Sequence, residues 1–228
     1  MVDQNTVIAI DGPAAAGKST VAKIVAEKLE LIYIDTGAMY RALTLKAINR
    51  GFDLTDEKKV LDLLLHTEIE LKNGNDGQRV ILDSKDVTEE IRYHNVSTNV
   101  SYVAKLASVR KELVKRQQAL ANNVGVVMDG RDIGTHVLPN AQIKIFLIAT
   151  VDERAKRRHK ENISKGLPSD LEQLKMEIQK RDEIDSNRES APLVKAKDAI
   201  ELNTTSLSIE EVVERILSVV RKLENKQK

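Results

Sequence analysis

An α/β fold with a parallel core sheet flanked by helices is predicted by three features of the sequence. A short apolar run leads into a glycine-bearing turn and then an amphipathic stretch, the same strand-to-helix rhythm follows at once, and two later apolar runs lack polar alternation. Strands covered on both faces read as continuous apolar runs, whereas half-exposed strands alternate. Val7 to Ile10 is the first strand, and a helix is expected from about Lys18 to Leu29, with Val21, Ile24, Val25 and Ala26 on its apolar side. Leu31 to Ile34 reads as the second strand. Asp35-Thr36-Gly37 then opens a helical stretch containing Tyr40, Leu43, Leu45 and Ile48, which stops near Gly51. Between Thr67 and Val87 the pattern turns β-rich: Ile69 to Leu71 and Arg79 to Leu82 flank the turn Asn73-Gly74-Asn75-Asp76-Gly77, the mark of a small inserted hairpin or sheet. Helical patterning returns from about Val96 to Ala121. Val124 to Met128 and Ile143 to Ile148 are the unalternating strands, Asp152 to Arg188 is densely charged, and Ala199 to Leu202 and Ser208 to Leu223 supply a last strand and an amphipathic closing helix.

The 228 residues are enough for one domain with a substantial core. With 36 basic against 35 acidic residues the net charge is +1, so no global field points to nucleic acid as a partner. Cysteine is absent, which excludes disulfides, thiolate metal sites and a cysteine nucleophile and suits a reducing cytoplasm. The run Thr6 to Ile10 lacks a basic leader and a cleavage site, and no segment reaches the roughly 18 apolar residues of a membrane span. A cytoplasmic protein with no membrane attachment is expected. His66, His94, His136 and His159 show no H-x-x-x-H spacing, so no zinc site is expected.

Gly12-Pro13-Ala14-Ala15-Ala16-Gly17-Lys18-Ser19 fits G-x-x-x-x-G-K-S and lies after a strand and at the start of a helix, where such a loop must lie to bind phosphate. Gly12 and Gly17 permit a tight loop whose backbone N–H groups surround a phosphate at the positive end of the helix dipole. Lys18 reaches the terminal phosphates, and the Ser19 hydroxyl, followed by Thr20, can ligate Mg²⁺. Nucleotide binding follows, but the reaction does not, since kinases, regulatory GTPases and mechanical ATPases share this loop. An N-K-x-D guanine-reading segment is not found beyond the third strand, which disfavours a regulatory GTPase.

Asp35-Thr36-Gly37-Ala38-Met39-Tyr40-Arg41 and Asp129-Gly130-Arg131-Asp132 each follow an apolar strand, so both belong at the carboxyl edge of the sheet beside the phosphate loop. Charges collected there either pair internally or meet a second ligand. Arg181 and Asp185 are four apart on an expected helix and share a face; spacing alone reads as an ordinary exposed pair. Tyr33 reads as core, while Tyr40 serves equally as core or as a stacking platform. Arg154, Lys156, Arg157, Arg158 and Lys160 open the charged stretch; a basic segment that closes over a phosphoryl-transfer site would exclude water, and this stretch is read as a lid with Arg157 and Arg158 on the ATP side. Acidic residues interspersed there, Glu153, Glu161, Asp170 and Glu172, weaken a nucleic-acid reading.

IDGPAAAGKST, DTGAMYRA, DVTEEIR, MDGRDIGT and KRDEIDSNRESAPL together resemble the bacterial cytidylate kinases in order and spacing over essentially the whole chain. The resemblance implies the nucleoside monophosphate kinase form of the P-loop α/β fold: a core of about residues 1–62, 90–150 and 190–228, a small β-rich acceptor-binding insertion of about 63–89, and a helical lid of about 151–189. It implies transfer of the γ-phosphoryl group of ATP to CMP or dCMP with Mg²⁺. By motif, Arg41, Arg131 and Arg188 would hold the acceptor phosphate, and Thr36, Ser101, Arg110, Asp132, Arg181 and Asp185, with Tyr40 adjoining, would recognise base or sugar. Lys18, Arg131, Asp132 and Arg188 would carry catalysis. Position 36 is Thr where some relatives have Ser, which keeps the hydroxyl and adds a methyl near the sugar. Another small-molecule P-loop kinase, for UMP, AMP or a metabolite hydroxyl, would differ only in the acceptor pocket; a nucleotide-binding regulator would have no phosphoryl acceptor. No exposed apolar helix stands out, so a monomer is expected.

Overall fold

In the computed structural model, which describes residues 5–74 and 77–227, a five-stranded parallel sheet forms the core. Its strands are β1 (Val7–Asp11), β2 (Ile32–Asp35), β6 (Val126–Gly130), β7 (Ile143–Ile148) and β8 (Ile200–Asn203), in the spatial order β2-β6-β1-β7-β8. β1 lies centrally, with Ile8 opposite both Val127 of β6 and Ile143 of β7. Side chains alternate across it. Ile8 and Ile10 join Val127, Ile145 and Leu147 on one face, packed against Val21 and Val25 of α1 (Lys18–Leu29) and Val213 and Ile216 of α8 (Ile209–Gln227). Ala9 points to the other face, with Ile34, Met128, Ile133 and Val137. Both faces are therefore covered, as the unalternating strands required.

α2 (Thr36–Asn49) starts directly from β2, its first turn capped by the Asp35 side chain, which accepts from the Ala38 N–H at 2.9 Å. α3 (Glu57–Leu65) has no counterpart in the expected elements; it is short, capped by Asp56, and buries only Val60 and Leu64 from its own sequence. β3 (Ile69–Gly74), β4 (Gly77–Leu82) and β5 (Lys85–Asp86) make an antiparallel sheet, while Asn75 and Asp76 of the expected turn lie outside the described residues. The helix expected from 96 to 121 is two: α4 (His94–Ala104) and α5 (Ala107–Leu120). They part at Leu106, which is extended at ψ 116, and the Arg110 guanidinium donates to the Ala104 carbonyl at 3.1 Å. A side chain thus satisfies a carbonyl that an unbroken helix would have bonded to its own backbone. α6 (Val151–Ser164) and α7 (Leu171–Asn187) form the charged hairpin, joined through Ala155, Leu174 and Ile178. No helix among the described residues is long and apolar enough to cross a membrane.

Candidate active site

The carboxyl ends of β1, β2, β6 and β7 open on one edge, and the loop after β1 is shaped there by backbone constraints. Gly12 has φ 148, and a Cβ on it would lie 2.2 Å from the Leu147 carbonyl oxygen, so only glycine fits against β7. Gly17, at φ 89, caps α1. Lys18 turns back to donate its Nζ to the Pro13 carbonyl at 2.7 Å. Two other loop carbonyls are held from outside: Ala14 by Arg154 Nη1 at 3.1 Å and Ala16 by the Thr204 hydroxyl at 3.4 Å. With its carbonyls held outward, the loop can keep N–H groups for a phosphate. Burial, then the Arg131 charge, drive the Lys18 pKa well below its ordinary value. A buried cation facing another cation is stabilised by an anion placed between them.

Arg154, in the stretch read as a lid, is not a solvated cation. It is only 4% accessible, donating to Ala149 and Ala14 carbonyls and to Asp182 Oδ2 at 2.6 Å, so it fastens the base of the helical hairpin to the phosphate loop. Arg154→Lys keeps the charge but not the planar fork, and should raise the KM for ATP about tenfold, one lost hydrogen bond, with the acceptor KM within about twofold; steady-state kinetics in both substrates check it. Arg157 is also committed within the protein, to Thr204 O at 2.5 Å and Glu153 Oε1 at 2.8 Å, although its Nη1 lies 3.8 Å from where a Gly17 Cβ would be. Arg158, half-buried, meets Glu161 at 3.7 Å.

Asp129 ties the two halves of the site together. Its Oδ2 accepts from Ser19 and its Oδ1 from Tyr33, each at 2.9 Å, while its carbonyl accepts from Thr36 at 2.7 Å. Tyr33, expected as core, does pack beside α1 but spends its hydroxyl here. Burial, then Asp35, raise the Asp129 carboxyl to about 6, against the pull of Lys18. Among the described residues no group of three His, Asp or Glu side chains is arranged to hold a metal alone. The hard oxygens of Ser19 and Asp129 fit a Mg²⁺ ion that takes its remaining ligands from phosphates and water.

Across the edge, Arg41 donates to Asp35 Oδ2 at 2.8 Å. Burial lifts the Asp35 carboxyl, but Arg41, the Ala38 N–H and the Arg92 charge together hold it below the usual range. Asp132 lies between two buried guanidiniums: Arg110 Nη2 bonds one oxygen closely and Arg188 Nη2 meets the other at 3.5 Å. Asp185 accepts from Ser101 at 3.0 Å and from Arg131 Nε at 2.9 Å, with Arg181 Nε at 3.9 Å, so Arg181 and Asp185 are not the exposed pair that spacing alone suggested. Arg110 also lies 5.6 Å from the centre of the Tyr40 ring. The Nε atoms of Arg41, Arg110 and Arg181 are buried without a hydrogen-bond partner among the described residues. Burial, then Arg131, push Arg181 down from the ordinary guanidinium pKa. This cationic cluster is incompletely neutralised.

A cleft of roughly 1880 Å³ runs between these sets, lined by Ala14 to Thr20, Arg41, Ser101, Arg158 and Arg181. Thr36, Tyr40, Arg110, Asp132, Asp185 and Arg188 form a buried layer in the same region. The hydroxyls of Thr36 and Ser101 already donate within the protein, so toward a ligand they are acceptors first. Sequence reasoning placed Asp129 among the charges at the sheet edge without giving it a part of its own, and put Arg154 in the lid. A strand-end carboxylate facing the loop serine was the available signal for Asp129; nothing local marks Arg154.

A parallel sheet with a phosphate loop at the end of its central strand and a second cationic pocket beside it defines a P-loop phosphotransferase for a small acceptor. Residues 8–222 match the family described as cytidylate kinase, and the chain belongs to that family. It is 62% identical to the cytidylate kinase of Oceanobacillus iheyensis over 97% of this chain and 96% of that one. To the cytidylate kinase of Bacillus subtilis it is 62% identical, over 93% and 95%. The structure resembles a gluconokinase from Sinorhizobium meliloti with a TM-score of 0.53 at 13% identity, covering 98% and 96%, a likeness of fold alone.

Proposed function

We propose that the protein transfers the γ-phosphoryl group of ATP to CMP or dCMP, giving ADP and CDP or dCDP, as a step of pyrimidine nucleotide metabolism. The observation that carries the reading is the under-neutralised cationic cluster of Arg41, Arg110 and Arg181, two of which, Arg41 and Arg181, line the same cleft as Lys18 and the phosphate loop. Membership of the cytidylate kinase family supports the choice of acceptor.

In this reading Gly12 to Thr20 hold the ATP phosphates, with Lys18 following the charge that develops on the transferring group and Arg158 adding contact from the hairpin. Arg41, Arg131 and Arg188 bind the acceptor phosphate, for which forked guanidiniums suit paired oxygens. Ser101, Arg110, Asp132, Arg181 and Asp185 recognise base and sugar, with Tyr40 and Thr36 as walls. The acceptor phosphate oxygen is anionic at neutral pH, so no general base is required; the side chains align the two phosphates, offset charge and exclude water. Mg²⁺ bound with ATP would sit at Ser19 and Asp129 and supply further charge neutralisation. Residues 63–89 form the acceptor-side insertion and 151–189 the lid, with Arg154 and Arg157 making the base of that lid a fixed anchor. The protein acts as a cytoplasmic monomer with no nucleic-acid partner.

ADP release should depend on added CMP or dCMP when these are tested with ATP and Mg²⁺ against UMP, AMP, GMP and shikimate, with products separated by chromatography. ADP release indifferent to all six overturns the reading. Arg188→Ala should lower kcat/KM for CMP by about 10²-fold, as for loss of a charged transition-state donor, with ATP affinity within about threefold. An unchanged acceptor response would remove Arg188 from the site.

A further inference from the structure

The carboxylate of Asp11 stands between the two half-sites and belongs to neither. It ends β1, and the next residue, Gly12, begins the phosphate loop. Asp11 is 5% accessible, and its two oxygens accept the N–H groups of Ile133 and Gly134, each at 2.8 Å. Those amides open the turn of Ile133–Val137 that follows Arg131 and Asp132. The Asp132 carbonyl closes the same turn, accepting from His136 at 2.8 Å and Val137 at 3.1 Å. The peptide that carries Asp132 is therefore fixed at its start by Asp11 and by its own turn.

We propose that Asp11 is the positioning residue that sets the separation of the two phosphate sites, by pinning the backbone after Arg131-Asp132 to the strand that launches the phosphate loop. The inference rests on the proposed kinase reading. Asp11 acts through the backbone, since both oxygens are engaged. Only a carboxylate offers acceptors on both sides without a donor; an asparagine of the same shape would turn an NH₂ toward one of the two N–H groups. The site is demanding in a second way. Burial raises the Asp11 carboxyl to about 6 in spite of the amides of Gly134 and Ile133, so the protein holds this charge in place through local bonds. Transfer between bound phosphates needs alignment well inside an ångström, and a misplacement of that order costs about 10²-fold in rate.

The test compares Asp11→Asn with wild type for kcat, KM, binding of ATP alone and of CMP alone by calorimetry, and the ratio of ADP to CDP formed. Each half-site keeps its own residues, so each substrate should bind alone within about threefold of wild type, while kcat falls about 10²-fold. ADP should exceed CDP, since a misaligned γ-phosphoryl group is lost to water. A kcat within about threefold of wild type per folded molecule overturns the proposal, as does a loss of ATP binding that matches the loss of rate. If Asp11→Asn fails to fold, Gly134→Ala decides: its Cβ would lie 3.4 Å from Asp11 Oδ2 and 3.1 Å from Lys144 Cδ, shifting the same turn with the carboxylate intact. A smaller fall in kcat with unchanged single-substrate binding supports the role; full wild-type kcat and coupling overturn it. Wild-type protein that makes no CDP would instead remove the kinase reading itself.

Discussion

Lys18→Ala should lower kcat about 10³-fold, as for loss of a preorganised cation at the transferring group, with the melting temperature within a few degrees of wild type. Lys18 is 5% accessible and its own internal bond is to one loop carbonyl, Pro13 O. Its folded pKa is depressed, so the charged ammonium costs the empty site stability as pH falls, and alanine removes that cost along with the bond. Stability and activity should therefore separate. Initial-rate assays beside calorimetric melting check this, and a variant with wild-type turnover would exclude Lys18 from phosphoryl transfer.

Asp132→Ala should act on both. It leaves Arg110 and Arg188, with side chains 3% and 2% accessible, facing each other without the carboxylate that separates them. Removing one partner of a buried ionic group costs about 3–5 kcal/mol, which for a chain of this size corresponds to a melting temperature lower by roughly 10 °C. Acceptor binding should fail with it, because the mutual repulsion of the two guanidiniums would move the side chains read as contacting base and phosphate. Asp132→Asn, with equal volume and one acceptor oxygen, should recover part of the stability. Thermal denaturation of both variants with and without CMP tests this: equal melting points for wild type and Asp132→Ala would show that the arginines do not depend on the carboxylate.

What was legible in the sequence was local. The phosphate loop, the strand before it and the helix after it are contiguous, and the continuous apolar runs at β6 and β7 reported a sheet covered on both faces. The motif resemblance assigned Ser101, Arg131 and Asp185 to one acceptor site, and in the structure Ser101 and Arg131 each donate to Asp185. What escaped was set by distant partners. The bond from Ser19 to Asp129 spans 110 residues and that from Arg154 to Ala14 spans 140, so neither could leave a periodic trace. Arg154 looked like a solvated lid cation because its neighbours are charged; burial is decided by α7 and the loop. The interruption between α4 and α5 carries no glycine or proline, and depends on Arg110 reaching the Ala104 carbonyl.

The placement of Gln78 has one more consequence. β2 is an outer strand of the parallel sheet, and strands so placed leave backbone groups open to pairing with another chain. The Gln78 carboxamide donates to Tyr33 O at 2.7 Å and accepts from Asp35 N at 3.2 Å, while Asn73 Nδ2 reaches the same carbonyl at 3.3 Å. A side chain from the small antiparallel sheet thus stands in for a missing neighbour strand, and in doing so guards the margin of the core against templated self-association.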